Sequence, residues 1–322
     1  MKSERRLVRR AGALLLFAAL TAVLVTAMPF RGVAEGAGSA KEIVIEWTTG
    51  RVLYALNADE RAYPASTTKI LTALVVAETL PLDLEVTVPA VAAGVEGSSV
   101  YLRAGEKLTV EELLYGLILR SGNDAAVALA VAAGGSVPHF AAMMNERAAA
   151  CGAERSHFVN PHGLHDDEHY TTARDLALIT AEAYRNADLR RIFSTRSVTV
   201  GEGESRRYFA NKNKLLGTFE GANGVKTGYT TKSGRCLVGG AYRDGMQLIS
   251  VVLDRHDMWA ETKRILDSAF ALFGMTDVLT MPEWREGMER VEVRLDERGA
   301  PSPAEYPAKR SGDNAGIVFL KD

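Results

Sequence analysis

The segment Pro64-Ala65-Ser66-Thr67-Thr68-Lys69 precedes an apolar run with helical spacing, Ile70-Leu71-Thr72-Ala73-Leu74-Val75-Val76-Ala77. A proline and a serine at this boundary predict that a helix begins here. Residues three apart share one helix face, so the side chains of Ser66 and Lys69 are predicted to point into the same space. A serine becomes a nucleophile when a base removes its proton, and a lysine in a dry, cation-flanked site can be that base. The segment is therefore either a nucleophile with its base or an ordinary helix start.

Composition and charge are those of a globular protein and give no indication of nucleic-acid binding. The chain has 322 residues, 47% of them hydrophobic and 24% charged, which is enough for a large core and about two domains. Its formal net charge of −2 provides no excess positive charge for a phosphate backbone. The two cysteines, Cys151 and Cys236, are too few for a small disulfide-stabilised fold, and we interpret them as buried free thiols.

The N-terminus has the pattern of an export segment. An apolar stretch at residues 11–28 follows a basic region, and the small residues at 32–34 or 38–40 are candidate cleavage sites. The length of the stretch also fits an uncleaved anchor. We predict that residues 1–40 are a signal peptide, or an anchor with its linker, and that the protein acts outside the cytoplasm. Membrane contact is predicted through residues 11–28 only. The basic region contains Lys2, Arg5, Arg6, Arg9 and Arg10.

The order of strand and helix patterns predicts an α/β (α+β) fold. Two strand-like runs near the start are read as a hairpin, and a mostly helical segment follows at about residues 84–200. Strand patterns then return, and an amphipathic helix follows them. One antiparallel sheet built from both chain ends, flanked by helices and carrying an all-helical insertion, accounts for this order. The strand runs are 42–47, 52–56, 207–209, 224–230, 235–242 and 246–253, and the last helix is 258–273.

The C-terminal part of the chain is too short for a domain of its own. After about residue 275 it contains one alternating run, at 291–295, between stretches rich in Gly, Pro and Ser. We therefore predict a catalytic domain at residues 41–275 and a short, truncated β region at 276–322.

Three short motifs carry the chemical prediction. Ser66-x-x-Lys69, Ser121-Gly122-Asn123 and Lys226-Thr227-Gly228 occur in this order, at a helix start, a helix-to-helix loop and a strand. The second motif alone could be a turn, and the third alone could be an exposed strand end. Together they are the combination typical of class A β-lactamases and penicillin-binding proteins.

The sequence around the motifs closely resembles the serine-type D-alanyl-D-alanine carboxypeptidases, the low-molecular-mass penicillin-binding proteins (peptidase family S11-like). The resemblance covers about residues 41–275 and implies a β-lactamase/transpeptidase-like fold. The segments that carry it are Tyr63-Pro64-Ala65-Ser66-Thr67-Thr68-Lys69-Ile70-Leu71-Thr72-Ala73, Leu114-Tyr115-Gly116-Leu117-Ile118-Leu119-Arg120-Ser121-Gly122-Asn123-Asp124-Ala125-Ala126, Asn160-Pro161-His162-Gly163-Leu164, His169-Tyr170-Thr171-Thr172-Ala173-Arg174-Asp175 and Gly224-Val225-Lys226-Thr227-Gly228-Tyr229-Thr230.

The resemblance implies a serine carboxypeptidase that needs no cofactor. It would remove the terminal D-alanine from peptidoglycan stem peptides through a Ser66 acyl-enzyme, and β-lactams would acylate the same serine. Lys69 would be the base, and Ser121 would relay a proton to the leaving amine.

The remaining implied residues bind the substrate. Asn123 would hold the substrate amide, and Lys226 would bind the terminal carboxylate and help to keep Lys69 neutral. Thr227 and Gly228 would border the cleft. The resemblance also implies an oxyanion hole formed by the backbone N–H groups of Ser66 and Tyr229.

Two other functions on the same fold stay open at this point. A class A β-lactamase uses an additional glutamate to position the deacylating water, and its Glu-x-x-Leu-Asn string is not found at residues 154–175. A non-catalytic module that binds cell wall or senses β-lactams is the other alternative, which the intact motifs disfavour.

A cluster of histidines and carboxylates raises the question of a metal site. His162, His165, Asp166, Asp167 and His169 are close in sequence and are possible zinc ligands. The segment lacks the helical His-Glu-x-x-His pattern and belongs to the resemblance just described. We therefore predict no metal site.

Overall fold

The computed structural model describes residues 39–272 and two short strands near the C-terminus. The predicted export segment and most of the predicted C-terminal β region lie outside the described residues. The strands are β1 (Lys41–Glu46), β2 (Val52–Leu56), β3 (Glu85–Thr87), β4 (Lys107–Thr109), β5 (Ser197–Val200), β6 (Arg207–Ala210), β7 (Ala222–Thr230), β8 (Gly234–Arg243), β9 (Met246–Leu253), β10 (Arg290–Val293) and β11 (Gly316–Phe319).

The central sheet has five strands in the order β2-β1-β9-β8-β7. Every neighbouring pair in it is antiparallel, which confirms the predicted sheet built from both chain ends. The predicted turn between β8 and β9 contains Asp244 at φ 49° and Gly245 at φ 82°, a left-handed pair that suits a tight hairpin. β10 and β11 form a separate parallel pair.

Helices cover both faces of the sheet. Alternate residues of a strand point to opposite faces, and β1 shows this directly. Ile43 and Ile45 belong to the larger core beneath most of the helices, whereas Val44 packs with the C-terminal helix. The helices are α1 (Lys69–Thr79), α2 (Val110–Leu119), α3 (Asn123–Gly134), α4 (Val137–Ala150), α5 (Ala173–Ala183), α6 (Ala187–Ser194), α7 (Leu215–Thr218) and α8 (Met258–Leu272).

The segment between β2 and β7 contains most of the helices, and its helix starts follow the sequence signals. Thr109 and Glu112 form the predicted capping box of α2, and Ser136 and Thr172 cap α4 and α5 through their side chains. The segment is not entirely helical, because β3 pairs with β4 and β5 pairs with β6.

In the part of the chain that the structure describes, no single helix is long and apolar enough to cross a membrane. Only α3 and α4 together reach that length, and the two helices are bent by 83° at their junction. The first eight residues of α3, from Asn123 to Ala130, are buried in the protein core.

Candidate active site

The Ser66 turn is a short 3-10 helix, Ala65–Thr68, that leads directly into α1 at Lys69. The predicted helix start is therefore correct, and its first turn is tighter than an α-helical turn. Side chains at positions i and i+3 of a 3-10 helix are eclipsed, which brings Ser66 and Lys69 together. The Lys69 amine lies 3.0 Å from the Ser66 hydroxyl oxygen.

The Lys69 amine is fully buried among oxygen atoms. Besides Ser66, it contacts Asn123 Oδ1 at 2.7 Å and the backbone carbonyl of His162 at 2.6 Å. Burial, together with the positive charges of Lys226 and Lys212, holds the pKa of Lys69 well below its usual range. A neutral amine has two N–H groups and one lone pair. The N–H groups are taken by the amide and carbonyl oxygens, so the lone pair faces the Ser66 hydroxyl.

The second motif forms the loop between α2 and α3. Ser121 has a left-handed backbone at φ 64°, and its hydroxyl accepts a hydrogen bond from Lys226 Nζ at 3.1 Å. Lys226 also donates to the carbonyl of Thr227 at 3.0 Å. Lys226 is 2% exposed, and burial followed by the charge of Lys212 lowers its pKa to about 7.

The third motif lies on β7, at the edge of the sheet. Gly228 permits a close approach to the nucleophile turn, because a Cβ there would lie 3.0 Å from the Pro64 carbonyl and 3.1 Å from Ser66 N. Thr227 and Tyr229 flank this glycine on β7, and the Tyr229 side chain is 66% exposed. The two backbone N–H groups proposed for the oxyanion hole thus belong to adjoining segments.

The three motifs therefore meet in one place. Ser66, Lys69 and Asn123 are joined by direct contacts, and Ser121 and Lys226 form a second contact pair. The model of the peptidase S11 family, D-alanyl-D-alanine carboxypeptidase, matches residues 32–257. The chain belongs to this carboxypeptidase family.

Relatives and solved structures agree with the family assignment. D-alanyl-D-alanine carboxypeptidase DacF of Bacillus subtilis (strain 168) is 35% identical over 240 residues, which are 72% of this chain and 62% of that protein. DacA of Escherichia coli (strain K12) is 32% identical over 277 residues, 79% of this chain and 68% of the relative. The crystal structure of the Streptomyces K15 DD-transpeptidase superposes with a TM-score of 0.69 at 34% identity and covers 72% of this chain and 96% of that chain. This chain thus spans about three fifths of the Bacillus carboxypeptidase.

Two side chains of this carboxypeptidase-family site were missed by the sequence motifs. Lys212 donates to the Ser98 hydroxyl at 3.2 Å, and its charge lowers the pKa values of both Lys69 and Lys226. No motif marks an isolated lysine, so the sequence contains no indication of this role. Asp124 directly follows the second motif, and this adjacency is the sequence feature that could have indicated its role.

The Asp124 carboxylate fixes the backbone of the loop at residues 98–102, which lies beside Asn123. It accepts hydrogen bonds from the Ser99 hydroxyl at 2.6 Å, from the Val100 N–H at 3.0 Å and from the Leu102 N–H at 3.1 Å. In the same loop, the Ser98 carbonyl accepts a hydrogen bond from the Asn123 N–H at 2.7 Å. Asp124 thus fixes the backbone around the asparagine that contacts Lys69.

The histidine and carboxylate cluster is dispersed. His169 contacts Thr68, while His165 packs edge-on against Tyr63 and lies 3.5 Å from Asp167. Within residues 39–272 and the two C-terminal strands, no three His, Cys, Asp or Glu side chains converge on a common point. Burial lowers the pKa of His162 to about 3 and that of His169 to about 4. Both cysteines are free thiols; Cys236 is buried and Cys151 is partly exposed.

Proposed function

We propose that this protein is a serine D-Ala-D-Ala carboxypeptidase that trims the terminal D-alanine from peptidoglycan stem peptides. One observation carries the proposal. A buried amine, Lys69, lies 3.0 Å from the Ser66 hydroxyl with its pKa held well below the usual range of a lysine, so it is placed to accept the serine proton. Family membership and the substrates named for the relatives supply the peptide class.

Acylation transfers one proton and exchanges one bond. The Lys69 lone pair takes the Ser66 proton while Oγ attacks the carbonyl carbon of the penultimate D-alanine. The oxyanion that forms is assigned to the backbone N–H groups of Ser66 and Tyr229. As the intermediate collapses, the C–N bond breaks and the leaving D-alanine amine receives a proton through the Ser121 hydroxyl. The proton that Lys69 took from Ser66 replenishes that hydroxyl, so Lys69 is neutral again before deacylation. Lys226 keeps its own charge 3.1 Å from the Ser121 oxygen.

Deacylation reverses the same proton path. Water attacks the Ser66 ester, Lys69 removes the water proton, and the serine oxygen leaves with a proton returned by the lysine. A β-lactam is a cyclic amide and would enter the same first step, so Ser66 is also the expected site of covalent inhibition.

Substrate choice is assigned to the residues around Ser66 and Lys69. Asn123 binds the substrate amide, and Thr227 and Gly228 border the cleft along β7. A carboxylate bound beside Lys226 would raise the pKa of its amine above the value of about 7 in the empty site, because an opposite charge favours the ammonium form. Binding would then create the ion pair that selects a free C-terminus.

The location and domain organisation are proposals that rest on the sequence. A basic region and an apolar stretch at residues 11–28 support export, with the site acting on the cell-wall side of the membrane. We assign the catalytic domain to residues 41–275 and treat residues 276–322 as a short C-terminal β region.

The test compares the purified wild-type protein with Ser66→Ala on diacetyl-L-lysyl-D-Ala-D-Ala. Wild type should release D-alanine and should gain the mass of one opened penicillin, whereas Ser66→Ala should do neither. Ser194→Ala, an exposed serine on α6, is the matched control and should behave as wild type. Equal D-alanine release by wild type and Ser66→Ala would rule out this mechanism. Penicillin acylation without D-alanine release would instead indicate the sensing module.

A further inference from the structure

The loop between α4 and α5 contacts the segment around Ser66, residues 62–72, at several points. Its Pro161 carbonyl accepts from the Thr72 hydroxyl at 2.6 Å, and its Thr171 backbone pairs with Ala62 at 2.8 Å and 2.9 Å. The carbonyl of His162, which contacts Lys69, belongs to the same loop. This loop therefore forms part of the surroundings of the turn that contains Ser66.

One contact in this loop joins two buried side chains. The His169 ring nitrogen Nε2 lies 2.8 Å from the Thr68 hydroxyl, and these residues are 2% and 0% exposed. The other ring nitrogen, Nδ1, accepts a hydrogen bond from the Val159 N–H at 3.1 Å. A neutral imidazole that accepts at Nδ1 carries its proton on Nε2, so His169 donates to Thr68.

The surroundings of His169 keep the ring neutral. Burial has the largest effect on its pKa, and the nearby His157, Lys69 and His165 lower it further, against the carboxylate of Asp166. The edge of the Phe158 ring also packs against the imidazole, with 5.4 Å between ring centroids. The donor is therefore present throughout the neutral pH range.

Thr68 is the point at which this contact reaches the catalytic pair. It is the last residue of the 3-10 turn that contains Ser66, and α1 begins at the next residue, Lys69. The turn has little freedom to shift, because a Cβ on Gly163 would overlap the Ala65 carbonyl and lie 2.9 Å from the Thr68 hydroxyl. A donor that fixes the Thr68 side chain therefore fixes where the turn ends and where the lysine side chain starts.

We propose that His169 is a positioning residue for acylation: its neutral ring, bonded to Thr68, holds the turn so that the Lys69 lone pair faces the Ser66 hydroxyl. The proposal rests on the serine mechanism given above. His169 acts through Thr68 and touches neither the substrate nor the reacting atoms. The expected loss therefore lies in the rate of acylation and not in substrate binding.

The test uses the whole protein and two readouts, the acylation rate with a fluorescent penicillin and the kcat and KM for D-alanine release. His169→Ala should acylate about 10- to 100-fold more slowly, the scale expected when reacting groups are misplaced by about 1 Å. Its KM should stay within about threefold of wild type, because the groups that bind substrate are unchanged. His169→Gln places an amide donor near the same point and should recover most of the rate.

His157→Gln is the matched control. His157 lies in the same loop and is bonded through Nδ1 to the Glu168 carbonyl, so its replacement should leave the acylation rate unchanged. If His169→Ala does not fold, Thr68→Val removes the acceptor oxygen while keeping the branched shape, and it should show the same loss.

Three results would overturn the proposal. They are a wild-type acylation rate in His169→Ala or in Thr68→Val, a His169→Gln variant as slow as His169→Ala, and a loss in His169→Ala that lies entirely in KM. Failure of the carboxypeptidase function is a separate result, because wild type would then acylate with penicillin yet release no D-alanine. The acylation rates of the variants would still decide the role of His169.

Discussion

Two groups of buried charges lie on opposite sides of the central sheet, and burial has different consequences in each. On the active-site side, the amines of Lys69 and Lys226 contact neutral hydroxyl, amide and carbonyl oxygens. On the α8 side, Glu42 of β1 and Glu261 of α8 share the guanidinium of Arg255, at 3.1 Å and 3.2 Å. The first group contains only basic side chains, and the second combines basic and acidic side chains.

The difference shows how the fold separates a reactive group from a structural one. Burial and neighbouring cations lower the pKa values of both lysines, as the proposed role of Lys69 as a base requires. In the second group, burial raises the pKa of Glu42 to about 7, while a hydrogen bond from Tyr54 at 2.8 Å and the charge of Arg255 oppose that rise. The α8 side thus joins a helix to the sheet through an ion network.

The largest effect is expected from removing the proposed base, Lys69. Lys69→Ala should lower the acylation rate of Ser66 about 1,000-fold or more, because a positioned general base contributes roughly 10²- to 10⁴-fold. Stopped-flow measurement with a fluorescent penicillin gives the rate, and circular dichroism gives the control for folding. A variant that acylates within tenfold of wild type would show that Lys69 is not the base.

Removing the cation on the other side should affect stability and not catalysis. Arg255→Met leaves the carboxylates of Glu42 and Glu261 without their shared guanidinium, which should cost about 3 to 5 kcal/mol of unfolding free energy. Urea unfolding at pH 8 measures the loss. Lys107→Met breaks an exposed ion pair with Glu85 and serves as the control, which should unfold like wild type. A loss of acylation rate without a loss of stability in Arg255→Met would contradict the separation of the two groups.

Lys226 should show its role through the chemistry of the substrate terminus. Lys226→Ala should reduce kcat/KM about 30-fold for a peptide with a free carboxylate, as expected for a charge-assisted hydrogen bond, and less for the C-terminal amide. In wild type, kcat/KM for the carboxylate substrate should fall as pH rises through about 7, because the free enzyme then loses the ammonium charge. Equal losses on both peptides would remove the assignment of Lys226 to the carboxylate.

The smallest effect concerns the pH dependence of stability. The pKa of Glu42 is raised from about 4.5 to about 7, so the folded protein binds this proton more tightly than the unfolded chain does. The stabilisation from this proton is complete below about pH 4.5 and is lost as pH rises through about 7. Glu42→Gln should flatten this slope in urea titrations between pH 5 and pH 8. An unchanged slope would assign the pH dependence to other groups.

The sequence predicted the sheet and the meeting of the motifs because their signals are local. Ser66 and Lys69 are three residues apart, and the helix caps at Thr109, Ser136 and Thr172 are single-residue signals. The strands β3, β4 and β5 were not predicted, whereas the run at 207–209 was read as a strand and forms β6. Strands of three or four residues are too short to show a periodicity.

The electrostatics of the site could not be predicted, because they depend on contacts that are distant in the chain. Lys212 changes the pKa of Lys69 from a position with no motif around it. The tight turn at Ser66 depends in part on the backbone of Gly163, which packs against Ala65. Neither relation has a period or a spacing that a sequence pattern could reveal.

The contacts of the Lys69 amine also determine when the chain becomes reactive. Two of its oxygen partners lie 54 and 93 residues further along the chain, at Asn123 and His162. In the unfolded chain this amine is a solvated ammonium with a pKa of about 10.4 and cannot accept the serine proton at neutral pH. In the proposed mechanism Ser66 is therefore not activated in the unfolded chain, and long-range folding creates the base that removes its proton.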